Sequence, residues 1–240
     1  MSRRAFTVAL IGPDGAGKTS IARRLERELG VPAKYLYMGV SRESSSHMLP
    51  TTRVVRAIKR RRGAPPDTGG PPDSTRPREA AGSRRPRAVR VLRSGARLVN
   101  QLAEESYREL LARYHVRRGS VVLFDRHFFF DYHAFDVVRR DDRPLEARIH
   151  GFVLERVYPR PDLVVYLDAP AEVMLARKGE GTLEALERRR GEYLALANVA
   201  PTFATVDASG SLDDVARAVA DVVARFAATR GASANGSAPS

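Results

Sequence analysis

Short apolar runs recur along the chain, and five of them have the length of buried β-strands. These runs span residues 5–11, 33–38, 120–125, 162–168 and 203–208. They are apolar at nearly every position, which is typical of strands covered on both faces of a parallel sheet. The pattern therefore predicts a sheet at the centre of the protein.

Helical patterns lie in the segments between these runs. Residues 19–29 place Ile21, Leu25 and Leu29 on one face, and the pattern stops at Gly30. Further helices are predicted at about residues 87–117, 144–157, 170–177, 182–198 and 211–228. Buried strands that alternate with helices predict an α/β fold, a five-stranded parallel sheet with helices on both faces.

The longest predicted helix, residues 87–117, has one apolar stripe through which we expect it to pack. The stripe consists of Leu98, Leu102, Tyr107, Leu110, Leu111 and Tyr114.

The chain has 240 residues, which fits one domain with insertions better than two full domains. We predict a single domain over residues 1–229 with a basic insertion at about 41–97, which includes a flexible loop at 63–86, and a disordered tail at 230–240. Of the net charge of +13, residues 53–97 carry +11, from fourteen Lys and Arg against three Asp and Glu. The basicity belongs to the insertion and not to the fold.

The composition excludes several kinds of chemistry. The chain has no cysteine, which excludes disulfides, zinc–thiolate sites and thiol nucleophiles. The five histidines show no metal-ligand spacing.

The apolar run after the basic N-terminus has only about seven residues and leads into a glycine loop, so it predicts a strand and not a signal peptide. No stretch approaches the roughly 20 apolar residues of a membrane span, and we expect a cytoplasmic protein.

The residues after the first strand read GPDGAGKTS and fit the Walker A pattern G-x-x-x-x-G-K-[ST]. Glycines allow backbone N–H groups to turn toward a phosphate, and the helix that follows adds its positive N-terminal dipole. Lys18 is expected to reach the β- and γ-phosphates of ATP, and the Thr19 hydroxyl to bind Mg²⁺. The residues expected to bind the nucleotide are Gly12, Asp14, Gly15, Ala16, Gly17, Lys18, Thr19 and Ser20.

The third apolar run ends in Asp125 and Arg126. In an open parallel sheet the carboxyl ends of the strands face the ligand site. Asp125 is therefore expected near the Mg²⁺ ion, and Arg126 near a phosphoryl group. The alternative is a polar pair that only caps the next helix.

Basic residues flank the small-residue stretch GEGT at 179–182. Phosphoryl transfer must exclude water, and a mobile lid that carries arginines does so while stabilising the charge of the transition state. We predict such a lid at about residues 176–192, with Arg177, Lys178 and Arg188–Arg190 as its cations. The alternative is a solvated basic helix face.

With these motifs the chain resembles the thymidylate kinase family of P-loop nucleoside-monophosphate kinases. The matching segments are GPDGAGKTS, VLFDRH, PRPDLVVYLDAPAEVMLARKGEG and VDASGSLDDVARAV, in the order of the family. The phosphate loop is specific to the superfamily, whereas the Asp–Arg pair and PDLVVYLDAPAEV narrow the resemblance to the family.

The resemblance implies a role for individual residues. Lys18 and Thr19 would take the ATP phosphates and Mg²⁺, with Asp125 in the metal region. Asp14 would contact the acceptor side, and Arg126 the phosphoryl acceptor. In one subgroup the lid supplies an arginine that the loop lacks; Gly15 occupies that loop position here, which makes Arg177 or a neighbour the expected catalytic arginine. Residues 207–210 would lie near the adenine.

The chain departs from the family on the acceptor side. The Arg-Glu-Pro-Gly-Gly motif that usually follows the second strand is replaced by MGVSRESSSHMLP. Small hydroxyl residues and Ala-Tyr-Gln, which usually follow Asp–Arg, are replaced by HFFFDYHAFD. At least one of Phe128–Phe130 is expected to face the acceptor, and Asp131 and Asp136 would suit an acceptor rich in hydroxyl groups.

These features favour an ATP-dependent kinase that transfers the γ-phosphoryl group to a small-molecule acceptor. Thymidylate is the default acceptor by resemblance, and another nucleotide, a sugar or a polyol is the alternative. A P-loop regulatory module with weak turnover is a further alternative. A nucleic-acid binder is disfavoured, because no recognition motif accompanies the basic charge. The sequence leaves open a homodimer, and contact of the insertion with an anionic membrane surface or another polyanion.

Overall fold

The computed structural model describes residues 5–39, 49, 52, 87–133, 145–179 and 182–235. The predicted loop at 63–86, most of the basic insertion and Asp136 lie outside the described residues. Among the described residues no helix is long and apolar enough to cross a membrane.

The described strands form a five-stranded parallel sheet in the order β2-β3-β1-β4-β5. Their bounds are β1 Thr7–Ile11, β2 Ala33–Tyr37, β3 Val121–Asp125, β4 Leu163–Asp168 and β5 Phe203–Asp207. Every residue of β3, and all but one each of β1 and β4, is buried, because apolar residues occupy both faces of these strands. The predicted α/β class and its parallel sheet are confirmed.

Five of the seven described helices agree with the predicted segments to within a few residues; the short helix at 128–132 was not predicted, and the last helix extends beyond its predicted end. Their bounds are α1 Lys18–Glu28, α2 Arg87–Arg117, α3 Phe128–Tyr132, α4 Leu145–Arg156, α5 Ala171–Lys178, α6 Leu183–Ala195 and α7 Leu212–Asn235, and a 3-10 turn at Leu196–Asn198 follows α6. Helix α7 continues to Asn235, so the prediction of a disordered tail is wrong for residues 230–235. The alanines of this stretch favour helix and allow the last turns to form.

The chain divides into two compact units. Unit 1 comprises residues 1–36, 112–127 and 160–240, and unit 2 comprises residues 37–111 and 128–159. In unit 1, α1 and α7 pack on each other and on the sheet, and α5 packs on α6. In unit 2 the aromatic rings of Phe128 and Tyr158 meet edge to face at 5.0 Å.

Helix α2 does not pack as its apolar stripe predicts. Leu110 is 63% exposed and Tyr114 51% exposed. Among its described side chains the buried ones are Ala112 and four charged residues, namely Glu104, Glu105, Arg108 and Glu109. The prediction that this helix packs through its leucines and tyrosines is therefore wrong at Leu110 and Tyr114.

Polar partners within unit 2 explain why α2 buries charge. Glu105 accepts from the His150 Nε2 atom at 3.1 Å, and Arg108 donates to the Gly39 carbonyl at 2.8 Å. Glu104 accepts from the backbone N–H of Leu49 at 3.2 Å. A buried charge costs little when such partners are present, and apolar periodicity contains no information about them.

Candidate nucleotide-binding site

The candidate site lies in unit 1, at the carboxyl ends of strands β1 and β3. Leu10 of β1 is paired with Asp125 of β3, and the glycine loop begins directly after β1. Because parallel strands end at the same edge of a sheet, the loop and the Asp125–Arg126 pair come together as predicted.

The glycine loop is held against β4 and α5 by close backbone contacts. Gly12 has a φ of 146°, and a Cβ atom there would lie 2.7 Å from the Leu167 carbonyl oxygen. Gly15 has a φ of 91°, and its Cβ atom would lie 2.8 Å from the Met174 carbonyl oxygen. Both positions therefore require glycine, for conformational and for steric reasons.

The Lys18 side chain folds back onto the loop. Its Nζ atom donates to the carbonyl oxygens of Gly12 at 2.8 Å and Pro13 at 2.6 Å. The residue is 5% exposed. The ammonium group is thus buried and does not face solvent, because the carbonyls of the loop offer it acceptors inside the protein.

The Asp125 carboxylate receives two hydroxyl groups on one oxygen. Oδ2 accepts from the Thr19 hydroxyl at 2.6 Å and from the Tyr35 hydroxyl at 3.0 Å. The other oxygen, Oδ1, is buried and has no hydrogen-bond partner among the described residues. A buried carboxylate oxygen without a donor is costly, and a bound cation removes that cost.

These residues fit a magnesium ion that is shared with nucleotide phosphates. Mg²⁺ takes oxygen ligands, and in nucleotide sites it uses one or two protein groups together with phosphates and water. Thr19 and Asp125 supply such oxygens side by side. Among the described residues there is no group of three or more His, Asp or Glu side chains that could hold a metal alone, so the phosphates would have to complete the site.

Arg126 directly follows β3, and its side chain points toward the glycine loop. Its φ of 64° makes it the only non-glycine residue with a positive φ in the part of the chain that is described. Its guanidinium forms an ion pair with the Asp14 carboxylate, which also lies 3.8 Å from the Lys18 Nζ atom. A left-handed conformation at a residue other than glycine is costly and is often found at functional sites.

The residues after Arg126 are buried and apolar in character. Burial lowers the pKa of His127 to about 3, so the imidazole is neutral at physiological pH. Phe128, Phe129 and Phe130 are 1%, 1% and 4% exposed. The rings of Phe129 and Phe130 meet edge to face at 5.1 Å. Phe128–Phe130 form part of the core of unit 2, which contradicts the expectation that at least one of them faces an open acceptor site.

In the predicted lid, the Arg177 guanidinium binds three consecutive backbone carbonyls. It donates to the oxygens of Ala208, Ser209 and Gly210 at 2.7, 2.9 and 3.0 Å. Asp207 closes the same turn by accepting from the Ser209 hydroxyl and N–H, and these hydrogen bonds lower the pKa of Asp207. Arg177 thus shapes the segment that the resemblance places near the adenine. Its predicted catalytic role stays a prediction.

A second arginine of the lid anchors α6 to the end of β4. Arg190 donates from Nε to Asp168 Oδ1 at 2.6 Å and from Nη2 to Oδ2 at 2.8 Å. The Tyr166 hydroxyl donates to Oδ1 at 3.0 Å. The hydrogen bonds from Arg190 lower the pKa of Asp168. Arg188 is exposed, and the side chain of Lys178 lies outside the described residues.

The sequence motifs missed Tyr35 and Asp168. Tyr35 belongs to no motif, and only its place in a predicted strand beside Asp125 could have indicated a contact. Asp168 had a stronger signal, since it ends a predicted strand at the same sheet edge as Asp125.

The fold and the site together define a protein of the P-loop class, with a five-stranded parallel sheet and a nucleotide-type phosphate loop. No protein-family model matches the chain. Over 128 residues the chain is 30% identical to a probable thymidylate kinase from Archaeoglobus fulgidus, a match that covers 50% of this chain and 63% of that relative. This similarity confirms the resemblance predicted from the motifs.

Among solved structures, the fold is similar to a deoxyadenosine kinase from M. mycoides. The TM-score is 0.49 and the sequence identity 17%, with 91% of this chain and 99% of that chain covered. A likeness at this level says nothing about the reaction.

Proposed function

We propose that the protein is an ATP-dependent kinase that transfers the γ-phosphoryl group of ATP to a small-molecule acceptor. The observation that carries the proposal is the contact between Thr19 of the glycine loop and Asp125 of β3, with an unpartnered Asp125 oxygen beside it. This pair suits an Mg²⁺–nucleotide complex, and it accompanies a Walker A loop in the expected strand–loop–helix context.

The chain's own residues have distinct tasks in this proposal. Lys18 would give up its hydrogen bonds to the two loop carbonyls and bind phosphate oxygens instead. Phosphate oxygens attract the ammonium group more strongly, because they carry a negative charge and carbonyl oxygens only a partial one. Thr19 and Asp125 would hold Mg²⁺, which neutralises charge on the β- and γ-phosphates when bound. Arg126 would contact the phosphoryl acceptor, with its orientation fixed by Asp14. These roles follow the sequence expectations and remain to be tested.

The acceptor is the open part of the proposal. The similarity to a probable thymidylate kinase makes thymidylate the first compound to test. The replacement of the small hydroxyl residues of the family by Phe128–Phe130 in the sequence favours an acceptor other than thymidylate. A sugar, a polyol or another nucleotide would then take its place.

One experiment tests the kinase proposal directly. ATP consumption by the purified protein is measured with Mg²⁺ against a panel of nucleoside monophosphates, nucleosides, sugars and polyols. At least one acceptor should raise the rate well above the acceptor-free rate. If no acceptor does so while ATP still binds, the alternative of a P-loop regulatory module with weak turnover is favoured.

A further inference from the structure

The two oxygens of the Asp125 carboxylate have different surroundings within unit 1. Asp125 is 1% exposed, so both oxygens depend on the protein or on a ligand for their partners. Oδ2 has the hydroxyls of Thr19 and Tyr35, whereas Oδ1 has no partner among the described residues. The protein therefore holds the carboxylate through Oδ2 and leaves Oδ1 available to a ligand.

Tyr35 is firmly held in its position on β2. Its ring is 8% exposed, and the Arg23 guanidinium lies over it, 5.4 Å from the ring centroid. Arg23 follows Thr19 by one turn of α1, so the same helix supplies the loop hydroxyl and the cation over the ring. This packing holds the ring with its hydroxyl oxygen 3.0 Å from Asp125 Oδ2.

The phenol is a donor at physiological pH. An ordinary phenol has a pKa of about 10 and is protonated at physiological pH, whereas a carboxylate can only accept a hydrogen bond. The phenol therefore keeps its proton, and the hydrogen bond runs from Tyr35 to Asp125. Thr19 differs from Tyr35, because in the proposed function its hydroxyl oxygen also serves the metal.

We propose that Tyr35 is a positioning residue that fixes the Asp125 carboxylate so that Oδ1 is presented to the metal of the nucleotide complex. The proposal rests on the proposed function, since it requires Mg²⁺ to bind at Asp125. Partners of metal ligands that lie outside the coordination sphere orient those ligands and tune metal affinity. Tyr35 lies outside the phosphate loop and outside the Asp–Arg pair.

The test measures how much Mg²⁺ strengthens ADP binding to the full chain. Calorimetric titrations with ADP are run in Mg²⁺ and in a metal chelator, for the wild type and for Tyr35→Phe. The metal-dependent gain in ADP affinity should fall about tenfold in the variant, at the low end of the effect of such partners. The affinity for ADP in the chelator should stay the same. An unchanged metal-dependent gain would overturn the proposal.

A matched control separates this role from the general loss of a buried hydroxyl. Tyr166→Phe removes a phenol that donates to another aspartate, Asp168, at the same distance of 3.0 Å. The metal-dependent gain should be unchanged in this control, and an equal loss in both variants would count against a specific role of Tyr35. Should Tyr35→Phe fail to fold, Arg23→Ala removes the cation over the ring; a smaller loss of the gain is expected, and no loss overturns the proposal.

Asp125→Asn distinguishes failure of this inference from failure of the proposed function. If the wild type shows no metal-dependent gain, the proposed metal role of Asp125 is wrong, and with it the basis of the kinase proposal. If the wild type shows a gain that Asp125→Asn loses and Tyr35→Phe keeps, the metal site stands and only the role of Tyr35 is wrong.

Discussion

At the scale of single residues, Lys18 has a structural as well as a chemical task. Lys18→Ala removes two hydrogen bonds from a buried ammonium group to the loop, which we expect to cost about 2 kcal/mol of unfolding free energy. Turnover should fall at least about 100-fold, on the scale of losing one preorganised donor to the transferred phosphate. Urea unfolding and ATP consumption measure the two effects.

Lys34→Ala is the matched control for Lys18. Lys34 is partly exposed and pairs with Glu26 at 3.0 Å, so its loss should cost no more than about 1 kcal/mol and leave turnover unchanged. Near-normal turnover of Lys18→Ala in a folded protein would contradict the kinase proposal.

Arg126 allows backbone strain to be separated from side-chain function. At its φ of 64°, glycine is tolerated and alanine is strained, by about 1–2 kcal/mol. The greater flexibility of glycine in the unfolded chain reduces this difference in unfolding free energy. Arg126→Gly should therefore be about 1 kcal/mol more stable to urea than Arg126→Ala, while both lose turnover alike. Equal stabilities would show that the strand end relaxes in the variants.

At the scale of elements, the Asp168–Arg190 pair determines how α6 is attached to the sheet. Two parallel hydrogen bonds require the planar guanidinium, so Arg190→Lys should lose nearly as much stability as Arg190→Ala, about 1 kcal/mol, because the pair is partly exposed. Thermal unfolding of both variants measures this. Full stability of Arg190→Lys would mean that only the charge matters.

The same pair makes a contribution that depends on pH. The pKa of Asp168 is lowered in the folded protein by the hydrogen bonds from Arg190, so the carboxylate binds protons less readily than in the unfolded chain. The stabilisation is therefore fully present above the ordinary aspartate pKa of about 4 and is lost as the pH falls through the lowered value. Asp168→Asn should remove this part of the acid dependence.

The elements themselves were largely predictable from sequence, and their packing was only partly so. The β-strands and helices followed from apolar runs and glycines, because burial on a parallel sheet demands continuous apolar segments. The buried face of α2 could not be predicted, since Glu105 and Arg108 find partners that are distant in sequence. In the same way, the glycine motif identified Lys18 as a phosphate-binding residue, but it did not predict that Lys18 donates hydrogen bonds to the carbonyls of the loop.

At the scale of the whole molecule, we expect thymidylate to be a poor substrate. A nucleotide acceptor brings a phosphate dianion, and the second arginine of the usual motif is absent after β2. A base that buries polar edges without partners loses about 1–3 kcal/mol per group, and phenylalanines stand in the sequence where the family has small hydroxyl residues. Steady-state kinetics with a panel of acceptors measure this. A catalytic efficiency for thymidylate near 10^5 per molar per second, roughly that of a working enzyme, would contradict it.

The close packing of Gly15 against α5 limits how such a loop can evolve. A side chain at this position would meet the Met174 carbonyl oxygen and would also require an unfavourable backbone conformation. An arginine at position 15 therefore requires a displacement of α5 near Met174. Lineages that carry this glycine are confined by epistasis to recruiting such an arginine from elsewhere in the chain.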